Sequence, residues 1–246
     1  GDETAGNLAF SVTGGGTFTD VAGTVGAADT SADTGAVNVD LVAPTVTVSA
    51  IEISADTGTA DDDFNTKTAA QTLTATLSAA AAATDKVYVS VDDGSNWVDK
   101  TAGMTGADPD VSLSTSITLS GSSSIRIKVT DAAGNDGATA STSYILDQTA
   151  PTISFASVDI SADTGTSAAD FNTKTAAQTL TGTLSAAMAA DDILKVSVNA
   201  GVAWSTVTND VTGTPDTALS TDITLSGTSA IHLQITDDAG NAGTAD

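Results

Sequence analysis

Cysteine is absent from all 246 residues. Its absence excludes thiol catalysis, disulfides, zinc–thiolate sites and iron–sulfur clusters together, so a rigid fold has to draw on something else, and bound metal is one route. Histidine occurs once, as His232, which rules out a metal-binding His pair. It lies in Ile231-His232-Leu233-Gln234-Ile235, where alternation predicts an exposed strand position. No Gly-x-Ser-x-Gly elbow or phosphate loop is present, and catalysis is not expected. Aromatics make up only 4% of the chain, so its cores must be narrow and built from small and β-branched side chains. No apolar run approaches the roughly 20 residues that span a bilayer, and no membrane insertion is expected. The first residues show no cleavable leader pattern, so export would depend on a signal outside them.

Basic residues are also scarce. Lys and Arg total 7 against 31 Asp and Glu, a net charge of −24. That field repels phosphate backbones and anionic lipid, which argues against nucleic acid as a partner. It also strains a compact state unless cations neutralise part of it. Nearly all the acids are Asp, set beside Gly, Thr, Asn or Ala in turn-like stretches. Hard divalent cations favour such short carboxylates on bent backbone, although Asp and Asn are also good turn formers in their own right.

The chain repeats itself. Ile53-Ser54-Ala55-Asp56-Thr57-Gly58 returns as Ile160-Ser161-Ala162-Asp163-Thr164-Gly165, and the stretch from Asp63 to Thr74 returns from Asp170. Trp97 matches Trp204, as an anchoring aromatic or, less simply, a sugar-stacking platform. Thr130-Asp131-Ala132-Ala133-Gly134-Asn135 matches Thr236-Asp237-Asp238-Ala239-Gly240-Asn241. The junction Asp40-Leu41-Val42-Ala43-Pro44 matches Asp147-Gln148-Thr149-Ala150-Pro151. A unit of about 107 residues is large enough for its own core. Within each copy the apolar period is two. Val87, Val89 and Val91 point one way and Tyr88 and Ser90 the other; Leu73, Ala75 and Leu77 alternate with threonines. About seven such runs per copy, split by Gly/Asp/Asn turns, predict an all-β fold of tandem immunoglobulin-like sandwiches in an extended array. The Ala-rich runs Ala79 to Ala83 and Ala186 to Ala190 have room for one short helical turn.

The expected division is a strand-bearing extension or closing part of a preceding module over 1–40, repeat 1 over 41–147 and repeat 2 over 148–246. Ala36-Val37-Asn38-Val39-Asp40 resembles Ser143-Tyr144-Ile145-Leu146-Asp147, which closes repeat 1, while repeat 2 stops before that counterpart. Two explanations fit. Either this is a segment of a longer array, or identical protomers polymerise head to tail, the leading strand of one completing the last sandwich of the next.

The Asp-x-x-Ala-Pro opening, the Ser-Ala-Asp-Thr-Gly stretch, the Thr-Ala-Ala-Gln-Thr-Leu-Thr strand and the closing Thr-Asp-x-Ala-Gly-Asn resemble bacterial immunoglobulin-like repeats. These occur in large repetitive, calcium-binding surface adhesins and biofilm-associated proteins. The resemblance covers residues 40–246 and implies an extracellular stalk or cohesive fibre with Ca²⁺ at or near its junctions.

The residues make a calcium case by themselves. Acids recur in the junction, in the two loops after the first strand and in the closing turn, and strand ends of a sandwich cluster at its poles. Two junction sites are expected. One uses Asp40, Asp56 and Asp63; the other uses Asp147, Asp163 and Asp170. Asp131 or Asp136 would add to these, as would Asp237 in the second copy. Neighbouring repeats or identical protomers are the expected partners. A rival class is a glycan- or surface-binding module, which an exposed row of threonines on one sandwich face would favour.

Overall fold

The computed structural model describes residues 40–105, 111–213 and 215–245. Repeat 1 contains β1 (Val48–Ile53), β2 (Asn65–Thr66), β3 (Ala70–Leu77), β4 (Lys86–Ser90), β5 (Val98–Asp99), β6 (Met104–Thr105), β7 (Ser112–Thr118), β8 (Ser123–Thr130) and β9 (Ala140–Leu146). Repeat 2 contains β10 (Phe155–Ile160), β11 (Ala177–Leu184), β12 (Ile193–Ser197), β13 (Ser205–Thr206), β14 (Val211–Gly213), β15 (Asp216–Thr224) and β16 (His232–Thr236). The strand expected within 1–40 falls on residues outside those described.

In repeat 1 the strands form two sheets, ordered β1-β3-β7-β6 and β2-β9-β8-β4-β5. This is the strand order of an immunoglobulin-type sandwich, with the first edge split between the two sheets. Every pairing is antiparallel except β2 with β9, where Asn65 and Thr66 run parallel to Ile145 and Leu146. Repeat 2 reproduces the first sheet as β10-β11-β15-β14 and keeps three strands of the second, β13-β12-β16.

The period-two pattern explains the layers. On β3 Gln71, Leu73, Ala75 and Leu77 are buried while Thr72, Thr74 and Thr76 face out, opposite Ser116, Ser114 and Ser112 of β7. β11 repeats this with Gln178, Leu180 and Leu184 buried. Two separate cores result. One centres on Leu73, Val87, Ile125, Ile127 and Tyr144, the other on Leu180, Leu194, Leu233 and Ile235. Fully burying one such aliphatic side chain is worth about 1.5–3 kcal/mol, so each core can hold its own sandwich.

Three local expectations change. Ser90 does not face outward with Tyr88 but is buried, because its hydroxyl donates to Asp92 Oδ1 (2.7 Å) and accepts the Gly94 N–H (2.9 Å), closing the turn after β4. The Ala-rich runs form turns, one closed by the Asp85 N–H donating to the Ala82 carbonyl (2.9 Å), and the short 3₁₀ turns fall at Thr101–Gly103 and Thr208–Asp210. His232 is half-buried, with Nδ1 enclosed and without a hydrogen-bond partner. Trp97 and Trp204 are half-buried, and Trp97 lies under the Lys128 ammonium, 4.5 Å from its ring centroid.

Candidate metal centre at the module junction

The loop between β1 and β2 is shaped from beneath by Gln71. Its amide oxygen accepts from the Ala55 N–H (2.8 Å) and the Ser54 hydroxyl (3.1 Å), and its nitrogen donates to the carbonyls of Thr68 (2.7 Å) and Ala55 (3.0 Å). A buried amide with both ends satisfied fixes the backbone it touches. Gln178 makes the same bonds to Ala162, Ser161 and Thr175. Asp56 and Asp163 come immediately after these pinned residues.

Asp56 organises the rest of the loop. Its Oδ2 accepts the Phe64 N–H at 2.9 Å, holding Phe64 in a left-handed conformation (φ 60) that a bulky residue seldom adopts. Asp63 Oδ1 accepts the Asn65 N–H at 2.8 Å. Repeat 2 is wound alike, with Asp163 Oδ2 accepting from Asp170 and Phe171 and Asp170 Oδ1 from Asn172. This arrangement leaves three buried oxygens without a partner: Asp56 Oδ1, Asn65 Oδ1 and Asp163 Oδ1. Buried polar atoms are nearly always satisfied, and among the described residues the same orphan recurs at the same position in both copies, on Asp56 and Asp163. Burial pushes the Asp56 carboxyl above its ordinary range, the charges of Asp63 and Asp61 push it further, and the amides of Phe64 and Gly58 pull it back.

The closing turn of repeat 2 completes the region from the other module. Asp238 Oδ2 accepts from Asn65 Nδ2 (2.5 Å) and Asp238 Oδ1 from the Thr59 hydroxyl (2.7 Å). Thr57 Oγ1 donates to the Ala239 carbonyl (2.7 Å) and Lys67 Nζ to the Gly240 carbonyl (2.5 Å). Gly58 permits this approach: a Cβ there would lie 2.9 Å from the carbonyl oxygens of both Asn65 and Asp238 and 3.1 Å from Asp63 Oδ1. Oxygens of two modules thus converge around one glycine. Among the described residues no three acids stand close enough to hold a metal by themselves. The donor set is mixed: the carboxylates of Asp56 and Asp63, the Asn65 side-chain oxygen and main-chain carbonyls. That is the all-oxygen chemistry a hard cation such as Ca²⁺ accepts, and the orphaned oxygens fit it.

The expected residues are sorted differently from the two predicted sets. Asp40 stands before β1 and Asp56 after it, so a six-residue strand, about 20 Å, separates them. Asp147 is tied instead to the end of β2, where its N–H donates to the Thr66 carbonyl (3.0 Å), and its Oδ1 accepts the Thr149 N–H (2.8 Å). Asp163 and Asp170 form the matching loop at the far pole of repeat 2. Asp131 and Asp237 hold the closing turns: each accepts the backbone and side-chain N–H groups of Asn135 or Asn241. Those asparagines then donate to the carbonyls of Asp40 (3.0 Å) and Asp147 (2.9 Å), the same stitch at each junction. Asp136 is engaged by Lys128 and the Thr130 hydroxyl, both at 2.6 Å, and its counterpart is Ala242. The sequence points to Asp238 only as one of the closing-turn acids, and Asn65 and Gln71 are absent from the expected sites. The signal for Gln71 was there, a polar residue in the inward phase of a strand in both copies.

No protein-family model matches the chain, and no curated protein sequence does. Among solved structures it is similar to a crystal structure of a tetra-tandem repeat in the extending region of a large adhesion protein, at 20% identity and a TM-score of 0.27. The match covers 94% of this chain and 53% of that one, so the chain spans about half the neighbour's length. The β-sandwich assignment stands on the strand registers above, not on that likeness.

Proposed function

We propose that the chain is a structural repeat segment of an extracellular surface protein, an adhesin stalk or cohesive fibre, whose modules are locked together by Ca²⁺ at the junction. The observation that carries this reading is the pair of orphaned oxygens, on Asp56 and Asn65, in a loop bonded across to the Asp238 turn of the next module. Asp56, Asp63 and Asn65 would hold the ion, and carbonyls drawn in by the closing turn would complete it. The ion supplies countercharge, so the loop is no longer destabilised by its own acids, and ligands from two modules are tied to one centre. No residue is assigned to catalysis.

Calorimetry and small-angle scattering with calcium and with a chelator test it. Chelation is expected to lower the melting temperature by several degrees and to broaden the distribution of inter-module angles. Identical melting curves and scattering in both conditions would reject the reading. A second reading, surface or glycan recognition, draws on the hydroxyl face formed by Thr72, Thr74, Thr76, Ser112, Ser114 and Ser116. Retention of the chain on immobilised glycans, abolished by replacing Thr74 and Ser114 with Lys, would favour it.

A further inference from the structure

The closing turn folds alike in both repeats, yet the copies differ at one residue that the turn itself does not need. Asp131 and Asp237 accept from Asn135 and Asn241 in the same way, whereas the residue after them is Ala132 in repeat 1 and Asp238 in repeat 2. Alanine is enough for the turn, so the carboxylate of Asp238 acts on something else. Both of its oxygens reach repeat 1: Oδ1 accepts from the Thr59 hydroxyl (2.7 Å) and Oδ2 from Asn65 Nδ2 (2.5 Å). The side chains of Thr57 and Lys67 also cross the junction, but they meet main-chain carbonyls of the turn. Among the described residues, Asp238 is the one side chain of repeat 2 that is hydrogen-bonded to a candidate ligand of the ion.

We propose that Asp238 is a positioning residue, a role that rests on the calcium reading of the Asp56 loop. It turns the Asn65 amide so that the amide oxygen faces away from the turn, and thereby couples cation binding in repeat 1 to docking of repeat 2. A carboxylate has no proton to give, so only the nitrogen end of the amide can face it. The opposite end, Oδ1, is left without a partner on a residue that is 8% exposed. Asp238 is itself held in place, since the Thr59 N–H donates to its carbonyl (3.2 Å) and the Thr59 hydroxyl to its side chain. Without Asp238 nothing in the turn selects that end of the amide. An amide turned over would present N–H groups, which a hard cation rejects. Coupling of this kind is reciprocal: the factor that docking adds to cation affinity is the factor that the cation adds to docking. One side-chain torsion links the two, without Asp238 touching the ion.

Isothermal titration with calcium, in a chain whose other loop is silenced by Asp163→Asn, tests the coupling. Asp238→Ala copies the Ala132 turn and so keeps the fold, which melts in chelator check. It is expected to weaken binding about tenfold, within the range usual for coupled sites. Asp238→Asn still offers an oxygen to Asn65 Nδ2 and should stay within about threefold of the parent chain. Side-chain amide NMR in chelator gives a readout with no ion present. The Nδ2 protons of Asn65 should exchange slowly with water in the parent chain and in Asp238→Asn, and roughly tenfold faster in Asp238→Ala. An Asp238→Ala chain that binds calcium as the parent does would overturn the inference. So would weaker binding with an unchanged Asn65 amide, which is docking alone. Asp238→Asn as damaging as Asp238→Ala would also overturn it, by making the carboxylate a ligand in its own right. In those three cases, calcium heat that Asp56→Asn abolishes leaves the reading of the loop standing; a parent chain with no such heat overturns both.

Discussion

The internal repeat supplies its own substitution experiment for separating turn acids from candidate metal ligands. Asp92 closes the β4 turn by accepting from Asn96, yet its counterpart Asn199 closes the same turn by accepting from the Ala203 N–H at 2.8 Å. An amide suffices there, so the charge is not needed. Asp56 and Asp163 both keep the carboxylate, and both leave Oδ1 buried without a partner. Asp56→Asn is therefore expected to lower the melting temperature in calcium by a few degrees, to erase most of the calcium response, and to raise stability slightly in chelator, where the buried charge is uncompensated. Asp92→Asn should leave the calcium response intact. Thermal melts in the two buffers check both. One level further back, Gln71→Leu removes an amide that satisfies four partners around Ala55. It is expected to cost about 2 kcal/mol or more, from buried groups left unpaired, and to weaken calcium binding although it touches no ion. Urea denaturation and isothermal titration separate the two effects.

At the scale of elements, strands were legible and loops were not. Alternation in Leu73, Ala75 and Leu77 fixes which face of β3 is buried, because a one-residue slip would expose the whole set. The acids were legible as a class, since Asp in turns is easily seen, but their grouping was not. Spacing along the chain does not say which pole a loop reaches, and a strand stands between Asp40 and Asp56. The crossing of Asn65 to Asp238 joins residues of different repeats, which self-comparison cannot reveal. The turns also set the response to acid. Hydrogen bonds from Asn96 hold Asp92, and those from Thr101 hold Asp99, down to about 2, while Asn135 and Lys128 lower Asp131 and Asp136. A depressed folded value means stability present above the ordinary value and lost as pH falls from about 4 towards 2. Asp92, Asp99 and Asp136 become Asn199, Thr206 and Ala242 in repeat 2, so repeat 1 is expected to lose more stability than repeat 2 as pH falls. Trp97 and Trp204, one per repeat, allow each unfolding to be followed by fluorescence in Trp→Phe variants. Asp56 acts with the opposite sign: without metal its raised value makes stability fall as pH rises above the ordinary carboxylate range.

For the molecule as a whole, the repeat makes two sandwiches predictable, whereas how they meet is visible only in the structure. Gly240 shows the difference. It has φ 86 and packs so closely on the Thr57 carbonyl that a Cβ would collide, while its counterpart Gly134, at φ 94, has nothing within 4 Å among the described residues. Alanine at either position costs about 1–2 kcal/mol in left-handed strain. At Gly240 it must also prise the modules apart. Gly240→Ala is expected to loosen the inter-module angle and reduce the calcium-dependent rise in melting temperature, and Gly134→Ala to do neither; scattering and calorimetry on the pair decide this.

The parallel pairing of β2 with β9 has a mechanical consequence. Tension on a chain of such sandwiches enters a module near Asp40 and leaves at Asp147. The bonds from the N–H groups of Ile145 and Asp147 to the carbonyls of Phe64 and Thr66 lie across that line of pull. Under such tension they would be loaded in shear, so repeat 1 is expected to give way in one abrupt step instead of peeling open, which single-molecule stretching of the chain would read.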